Sequence, residues 1–196
     1  MWSSCYKCDK RTLNNHVCND CKNKTALSCL FVAGNWENEL LRRLIYEYKY
    51  RFISELKKEL SQILINYLKE NFKNLTNDNT VISFVPLHKQ RIIWRGFNQA
   101  ELLAEQASRH LGLPFLPLLE RTRNTSPQAE IKKQEERRKN IQKSFIISPS
   151  LKEAIKDKTI ILIDDVCTTG ATLEECARVL KPLKPKEIWG LVLARG

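Results

Sequence analysis

At 196 residues, the chain can hold one sizeable core and a small appendage, but not two full domains. Lys and Arg outnumber Asp and Glu by 33 to 22, a formal net charge of +11. That excess favours anionic partners such as nucleic acid or phosphorylated ligands, the alternative being a merely solvated face. No apolar run reaches the roughly 18 residues of a membrane-spanning helix, and the polar start Met1 to Cys8 has no secretion-signal core. The chain is expected in the cytoplasm, with no membrane insertion.

The first thirty residues are polar and too few for an apolar core, and four of the seven cysteines sit in pairs within the first 21. Cys5-x2-Cys8 and Cys18-x2-Cys21 form two paired knuckles, nine residues apart. Each knuckle presents two thiolates on one tight turn, and two knuckles close a tetrahedral Zn²⁺ shell with no open position, so the ion is structural. Such an ion supplies on the order of 10 kcal/mol of apparent folding energy. A redox pair at Cys5 and Cys8 lacks the strand–helix context it needs. His16 as a ligand in place of Cys18 breaks the paired spacing. Cys29, Cys167 and Cys176 read as ordinary reduced thiols.

From Trp36 to Asn74 the pattern is helical, with Leu40, Leu41, Leu44, Ile45 and Tyr48, then Phe52, Leu56, Leu60, Ile63, Leu64 and Tyr67 at spacings of three and four. The basic aromatic stretch Tyr46 to Arg51 marks a break between two helices. After the polar run Asn74 to Thr80, strand and helix patterns alternate, the mark of an α/β parallel sheet. Val81 to Val85 reads as a strand stopped by Pro86, and Phe97 to His110 as a helix with Asn98 as N-cap and Gly112 past its end. Gln128 to Asn140 is a charged mobile helix or loop. Thr159 to Ile163 is a buried parallel strand, Ala171 to Leu180 a helix, and Ile188 to Leu193 a closing strand. The expected organisation is a finger over 1–30, a helical connector over 31–75 and an α/β domain over 76–196.

Two loops carry the chemistry. In the first, a strand ends in Asp164-Asp165, and Thr168-Thr169-Gly170-Ala171-Thr172 opens a helix. Ligands of open α/β sheets bind at the carboxyl ends of strands. The amides of Thr168 to Thr172 point at one anion on the helix N-terminus, and Gly170 lets the backbone approach closely. Two carboxylates beside an anion need another partner, either paired sugar hydroxyls or Mg²⁺. The plain alternative is that these residues only cap a strand and a helix. The second loop, His88 to Gly96, is dense in positive charge. Its Leu87, His88, Lys89, Arg91 and Arg95 are placed to grip a pyrophosphate. Trp94 and Arg95, with Lys49 and Arg51 among Tyr46, Tyr48 and Tyr50, mix aromatic platforms with cations as single-stranded DNA sites do. The same aromatics can instead wedge the two regions together.

The run Ile160 to Thr172 resembles the phosphoribosyl-pyrophosphate motif of type I phosphoribosyltransferases. Pro86-Leu-His88, Arg91, Arg95-Gly-Phe-Asn-Gln-Ala-Glu-Leu-Leu-Ala104, Thr125 with Gln128, Arg138 with Asn140, and Ala194-Arg195 further resemble the ComFC proteins of natural transformation. The four cysteines and Tyr48-Lys-Tyr50 extend this resemblance over nearly the whole chain. It implies a phosphoribosyltransferase-like fold and binding of 5-phosphoribosyl 1-pyrophosphate (PRPP) with Mg²⁺. It also implies work on incoming single-stranded DNA near the competence helicase and recombination mediators. The alternative is a metabolic phosphoribosyltransferase acting on a nucleobase or amine. Purine-type relatives place a carboxylate at the position of Thr168, where it can act as acid or base. A threonine cannot, so binding is better supported than turnover.

Overall fold

The computed structural model describes residues 2–13, 15–72, 75, 79–126, 131, 133–148, 151 and 155–196. A short hairpin, β1 (Trp2–Ser4) with β2 (Arg11–Leu13), is followed by one helical turn, α1 (Asn19–Lys22), and together these carry the four paired cysteines. Next comes β3 (Cys29–Val32), then the helices α2 (Glu39–Tyr50) and α3 (Lys57–Asn71). The α/β part runs β4 (Thr80–Phe84), α4 (Lys89–Arg95), α5 (Gln99–Leu111), β5 (Leu119–Arg121), α6 (Gln134–Ile141), β6 (Phe145–Ile147), β7 (Thr159–Cys167), α7 (Ala171–Leu180) and β8 (Glu187–Arg195).

The main sheet is all parallel, in the order β3-β8-β7-β4. Such a sheet must be covered on both faces, and its central strands read as nearly continuous apolar runs. Ile160 to Ile163 and Leu191 to Ala194 do so. Alternation divides them between two cores. Ile161, Ile163, Leu191 and Leu193 pack under α2, α3 and α5 with Leu64, Leu103 and Tyr48. Ile160, Leu162, Ile188 and Val192 face α7, the small β5–β6 sheet and the finger, with Leu173, Leu180, Phe145 and Tyr6.

The elements differ from the sequence expectation in five places. The break between the two connector helices falls after Tyr50, because Phe52 takes a left-handed φ of 59°, so Tyr46 to Tyr50 are the last turns of α2. Residues 29–32, read from sequence as the end of the finger and the start of the helical connector, are an edge strand of the main sheet, paired with Trp189 to Val192. The basic loop is largely a helix: His88 caps it through Nδ1, 3.4 Å from the Gln90 amide, and Gly96 ends it at φ 85°. β7 runs on through both aspartates to Cys167, held by Val192, Ala194 and Arg195 of β8. Of the charged stretch 128–140, residues 128–130 and 132 lie outside the described residues, as do 74 and 76–78 of the polar run, while Gln134–Ile141 is helical. Among the described residues, no helix is long and apolar enough to cross a membrane.

Candidate anion and metal sites

The carboxyl ends of β7 and β4 open into a cavity of about 1070 Å³. Its floor is the acid pair and the loop Thr168 to Thr172. One wall is α2, another α4 with the start of α5, and β5 closes over the top with Arg121. Asn98 fixes the α5 wall: its Oδ1 accepts from the Ala100 amide at 3.1 Å, while its Nδ2 donates to the Val85 carbonyl at 3.2 Å.

The two aspartates are not equivalent, because successive strand residues point to opposite faces. Asp165 is buried and its acceptors are engaged. Oδ1 receives Lys49 Nζ at 2.8 Å and the Val166 amide at 2.6 Å, and Oδ2 receives Gln99 Nε2 at 3.3 Å. Burial opposes the charge on Lys49, but the Asp165 carboxylate outweighs it and holds the ammonium above its ordinary pKa. Asp164 accepts from the Asp165 amide at 2.9 Å. Burial, reinforced by the Asp165 charge and opposed by Lys49, pushes it up to about 7. Of the pair, Asp164 therefore has the capacity to meet sugar hydroxyls or a cation.

Opposite the carboxylates stands positive charge without a counter-ion. Among the described residues, no carboxylate lies within ion-pair distance of Arg91, Arg95 or Arg121. Arg91 and Arg121 converge on Thr125, one donating to its carbonyl and the other to its hydroxyl. Burial, then the charge of Arg91, pushes Arg121 down to about 10, and burial also lowers Arg95. The Nε atoms of Arg95 and Arg121 and Oε1 of Gln99 are buried without a hydrogen-bond partner. Like guanidiniums held together in a partly dry cleft favour an anion between them.

At the phosphate loop, Gly170 has φ 78° and is the N-cap of α7; of the first-turn amides, that of Ala171 donates to Thr169 Oγ1 at 3.4 Å. Those amides have no intrahelical acceptor. Of the residues expected here from sequence, Asp164, Asp165, Thr168, Thr169, Gly170, Ala171, Thr172, Leu87, Arg91, Arg95, Trp94 and Lys49 line the cavity. His88, Lys89 and Arg51 do not; His88 serves as the cap of α4 instead. Lys49 points inward at Asp165, while Trp94 is 63% exposed and meets Phe52 edge-on at 5.0 Å. Arg121 was not singled out from sequence, since its role depends on where the hood strand folds. Arg123 and Arg137 nearby carry the same charge with no local signal to tell them apart.

The second site is the cysteine cluster. The Sγ atoms of Cys5, Cys8, Cys18 and Cys21 lie within 4.8 Å of one another, Cys8 and Cys18 being 3.5 Å apart. A tetrahedral shell with Zn–S bonds of about 2.3 Å has S···S edges of about 3.8 Å, so the four thiolates fit that ion. Burial raises the Cys5 thiol, but hydrogen bonds from the Cys18, Lys7 and Cys8 amides prevail and bring it to about 7. Burial pushes Cys21 up to about 12. A divalent cation removes that conflict by deprotonating all four. His16 is not part of the cluster; its backbone bridges to Cys29. Cys29, Cys167 and Cys176 are buried free thiols, and burial pushes Cys167 up to about 12, the state of an unreactive side chain.

Residues 98–196 match the family described as "Phosphoribosyl transferase domain". The chain is 29% identical over 209 residues to "Competence protein F" of Haemophilus influenzae strain Rd, spanning 97% of this chain and 90% of that protein. It is 30% identical over 187 residues to "Competence protein ComFC" of Bacillus subtilis strain 168, spanning 90% and 70% respectively. It is 27% identical over 197 residues to "DNA utilization protein YhgH" of Escherichia coli strain K12, spanning 91% and 84%.

Proposed function

The chain belongs to the phosphoribosyl transferase domain family and within it to the ComFC competence proteins, and on that premise we propose that it binds PRPP and handles imported single-stranded DNA in the cytoplasm. The observation that carries the reading is the unpaired cluster Arg91, Arg95 and Arg121 facing Asp164 across the phosphate loop. PRPP has the matching charge pattern: a 5′-phosphate for the amides of Thr168 to Thr172, ribose hydroxyls for Asp164, and a pyrophosphate for the arginines. Mg²⁺ would sit with Asp164 and oxygens of the ligand, offsetting the charge of the pyrophosphate. Lys49 holds Asp165 in place at 2.8 Å, so the protein's own cation sets the shape of this half of the site.

Trp94 and Tyr46 are exposed at the mouth, beside Arg95 and Arg43, and Tyr46 and Tyr50 meet at 5.0 Å. These are the platforms for bases of a single strand, whose backbone the basic surface would attract. The names of the relatives, competence and DNA utilization proteins, support that partner class. Thr168 puts a hydroxyl at the position where purine-type relatives carry a carboxylate to act on the acceptor base, which favours binding over turnover of purines.

The test pairs two titrations. At about a hundredfold excess over its dissociation constant, PRPP with Mg²⁺ should stabilise the wild type by about 2.7 kcal/mol, and Arg121→Met should remove most of that gain. Fluorescence anisotropy with an oligonucleotide should show affinity falling with salt at a slope of about 0.7 per phosphate neutralised, and Trp94→Ala should cost about 1–3 kcal/mol. Absence of PRPP stabilisation sinks the ligand; absence of DNA binding at low salt leaves transformation to act through protein partners, with the helicase and recombination mediators the ones to test.

A further inference from the structure

The finger and the phosphate loop touch. Tyr6 lies between the first two cysteines and is 5% exposed, though its neighbours Lys7 and Cys8 are at the surface. Its ring stands against Gly170, so close that a Cβ built there would lie 3.3 Å from both Cδ2 and Cε2. Its hydroxyl donates to Glu174 Oε2 at 2.7 Å. Glu174 is in the first turn of α7, and its amide donates back to the Gly170 carbonyl at 2.9 Å. The same carboxylate accepts from the Ala26 and Leu27 amides at 2.7 and 3.2 Å, just beyond the second knuckle. From the other side, Arg195 donates to the Tyr6 carbonyl at 3.0 Å, next to the point where the Gly196 amide meets the Cys167 carbonyl. Both ends of the loop from Cys167 to Glu174 are therefore fastened to the finger.

We infer that Tyr6 is a positioning residue that couples the cysteine cluster to the phosphate loop, so that loop order depends on the metal. The reasoning is mechanical. Gly170 has no side chain of its own to pack, and a left-handed glycine is the least restrained residue in the loop. What restrains it is the tyrosine wall. The wall is held by a knuckle too short and polar to keep its shape without an ion to gather its thiolates. With the ion present, the loop is pre-arranged and an incoming phosphate need not order it, which is where preorganisation yields affinity. Without the ion, Tyr6 is released and the loop amides open.

That PRPP is the anion rests on the function proposed above, whereas the coupling itself does not require it, and the experiment separates the two. Hydrogen–deuterium exchange is measured on the ligand-free, zinc-loaded full chain as wild type, Tyr6→Phe and Tyr6→Ala, and on the wild type after chelation. Zinc content and PRPP affinity are determined on the same samples. Tyr6→Phe keeps the ring wall, so exchange over Thr168 to Leu173 should stay within about threefold of wild type. In Tyr6→Ala those amides should exchange at least about tenfold faster, while Ile160 to Ile163 stay protected and zinc remains bound. PRPP affinity should fall by about tenfold in parallel, and chelated wild type should resemble Tyr6→Ala. If Tyr6→Ala does not hold zinc, Tyr6→Leu, which keeps apolar volume without the planar wall, takes its place with the same expectation. Loop exchange within about twofold of wild type in the wall-less variant would overturn the coupling. Accelerated loop exchange in a protein whose wild type does not bind PRPP would uphold the coupling and remove the ligand.

Discussion

Replacing Lys49 with methionine keeps the apolar stem of the side chain and removes its charge. At 2.8 Å and an effective dielectric of about 20, the gross attraction to Asp165 is about 6 kcal/mol. Withdrawing both ions from water costs several kcal/mol each, so the intact pair is nearly neutral for stability. Breaking it is different, because the Asp165 side chain, 7% exposed, would lose its cation and be left with only an amide and Gln99 to meet it. Such a loss costs about 3–5 kcal/mol, and the 21% exposure of Lys49 places the expectation near the lower end, at about 3 kcal/mol. For a chain of this size that is a fall in Tm of about 6–12 °C. The assay is urea unfolding followed by tryptophan fluorescence with zinc saturating, on Lys49→Met, Asp165→Asn and the double variant. The double variant should regain all but about 1 kcal/mol, since no charge is then stranded. A single variant within about 0.5 kcal/mol of wild type, or a double variant no better than the single, refutes the reasoning.

Asp164 provides a pH test. Its pKa is raised from 3.8 to about 7, so across that window the folded chain holds a proton the unfolded chain has released, a stabilisation lost as pH rises through about 7. Asp164→Asn lacks this titration and should gain stability relative to wild type over the same range. Urea midpoints that run parallel for the two proteins from pH 5 to about 8 would contradict the burial argument. The cysteine cluster predicts one zinc per chain by elemental analysis, lost in Cys8→Ser or Cys18→Ser together with the fold of the finger. A wild type that stays folded and metal-free in chelator would exclude the structural ion.

The parts of the site legible in the sequence are those written in short, contiguous stretches. Cys5 to Cys21 encodes its own geometry through spacing, and Asp164 to Thr172 is one strand–loop–helix unit, so both could be read without knowing the rest of the fold. Helix α7 was placed to the residue because Gly170 and the apolar spacing mark the same start. What stayed hidden lies in pairings between distant segments. Lys49 looked like a surface cation because its neighbours are basic and aromatic, and only the packing of α2 against α5 turns it onto Asp165. Tyr6 and Glu174, 168 residues apart, carry no mutual signal in the chain. β3 escaped because four apolar residues after a polar finger are too short a run to assign without the strand they pair with.

That edge strand has a consequence for how the molecule assembles. β3 hydrogen-bonds only to β8 within the main sheet, and 160 residues separate Ser28 from Ile188 at the start of their ladder. On a ribosome, the finger emerges before the strands of the sheet, and its four cysteines can gather an ion while the sheet does not yet exist. The strand that follows the finger can then bond on one edge to residues 15–17 of the finger, but its other edge must wait until β8 has been made. Closing so long a loop is entropically costly and slow. Until then, the nascent chain carries its cysteine cluster tethered to an open strand edge, the kind of surface on which chaperones act.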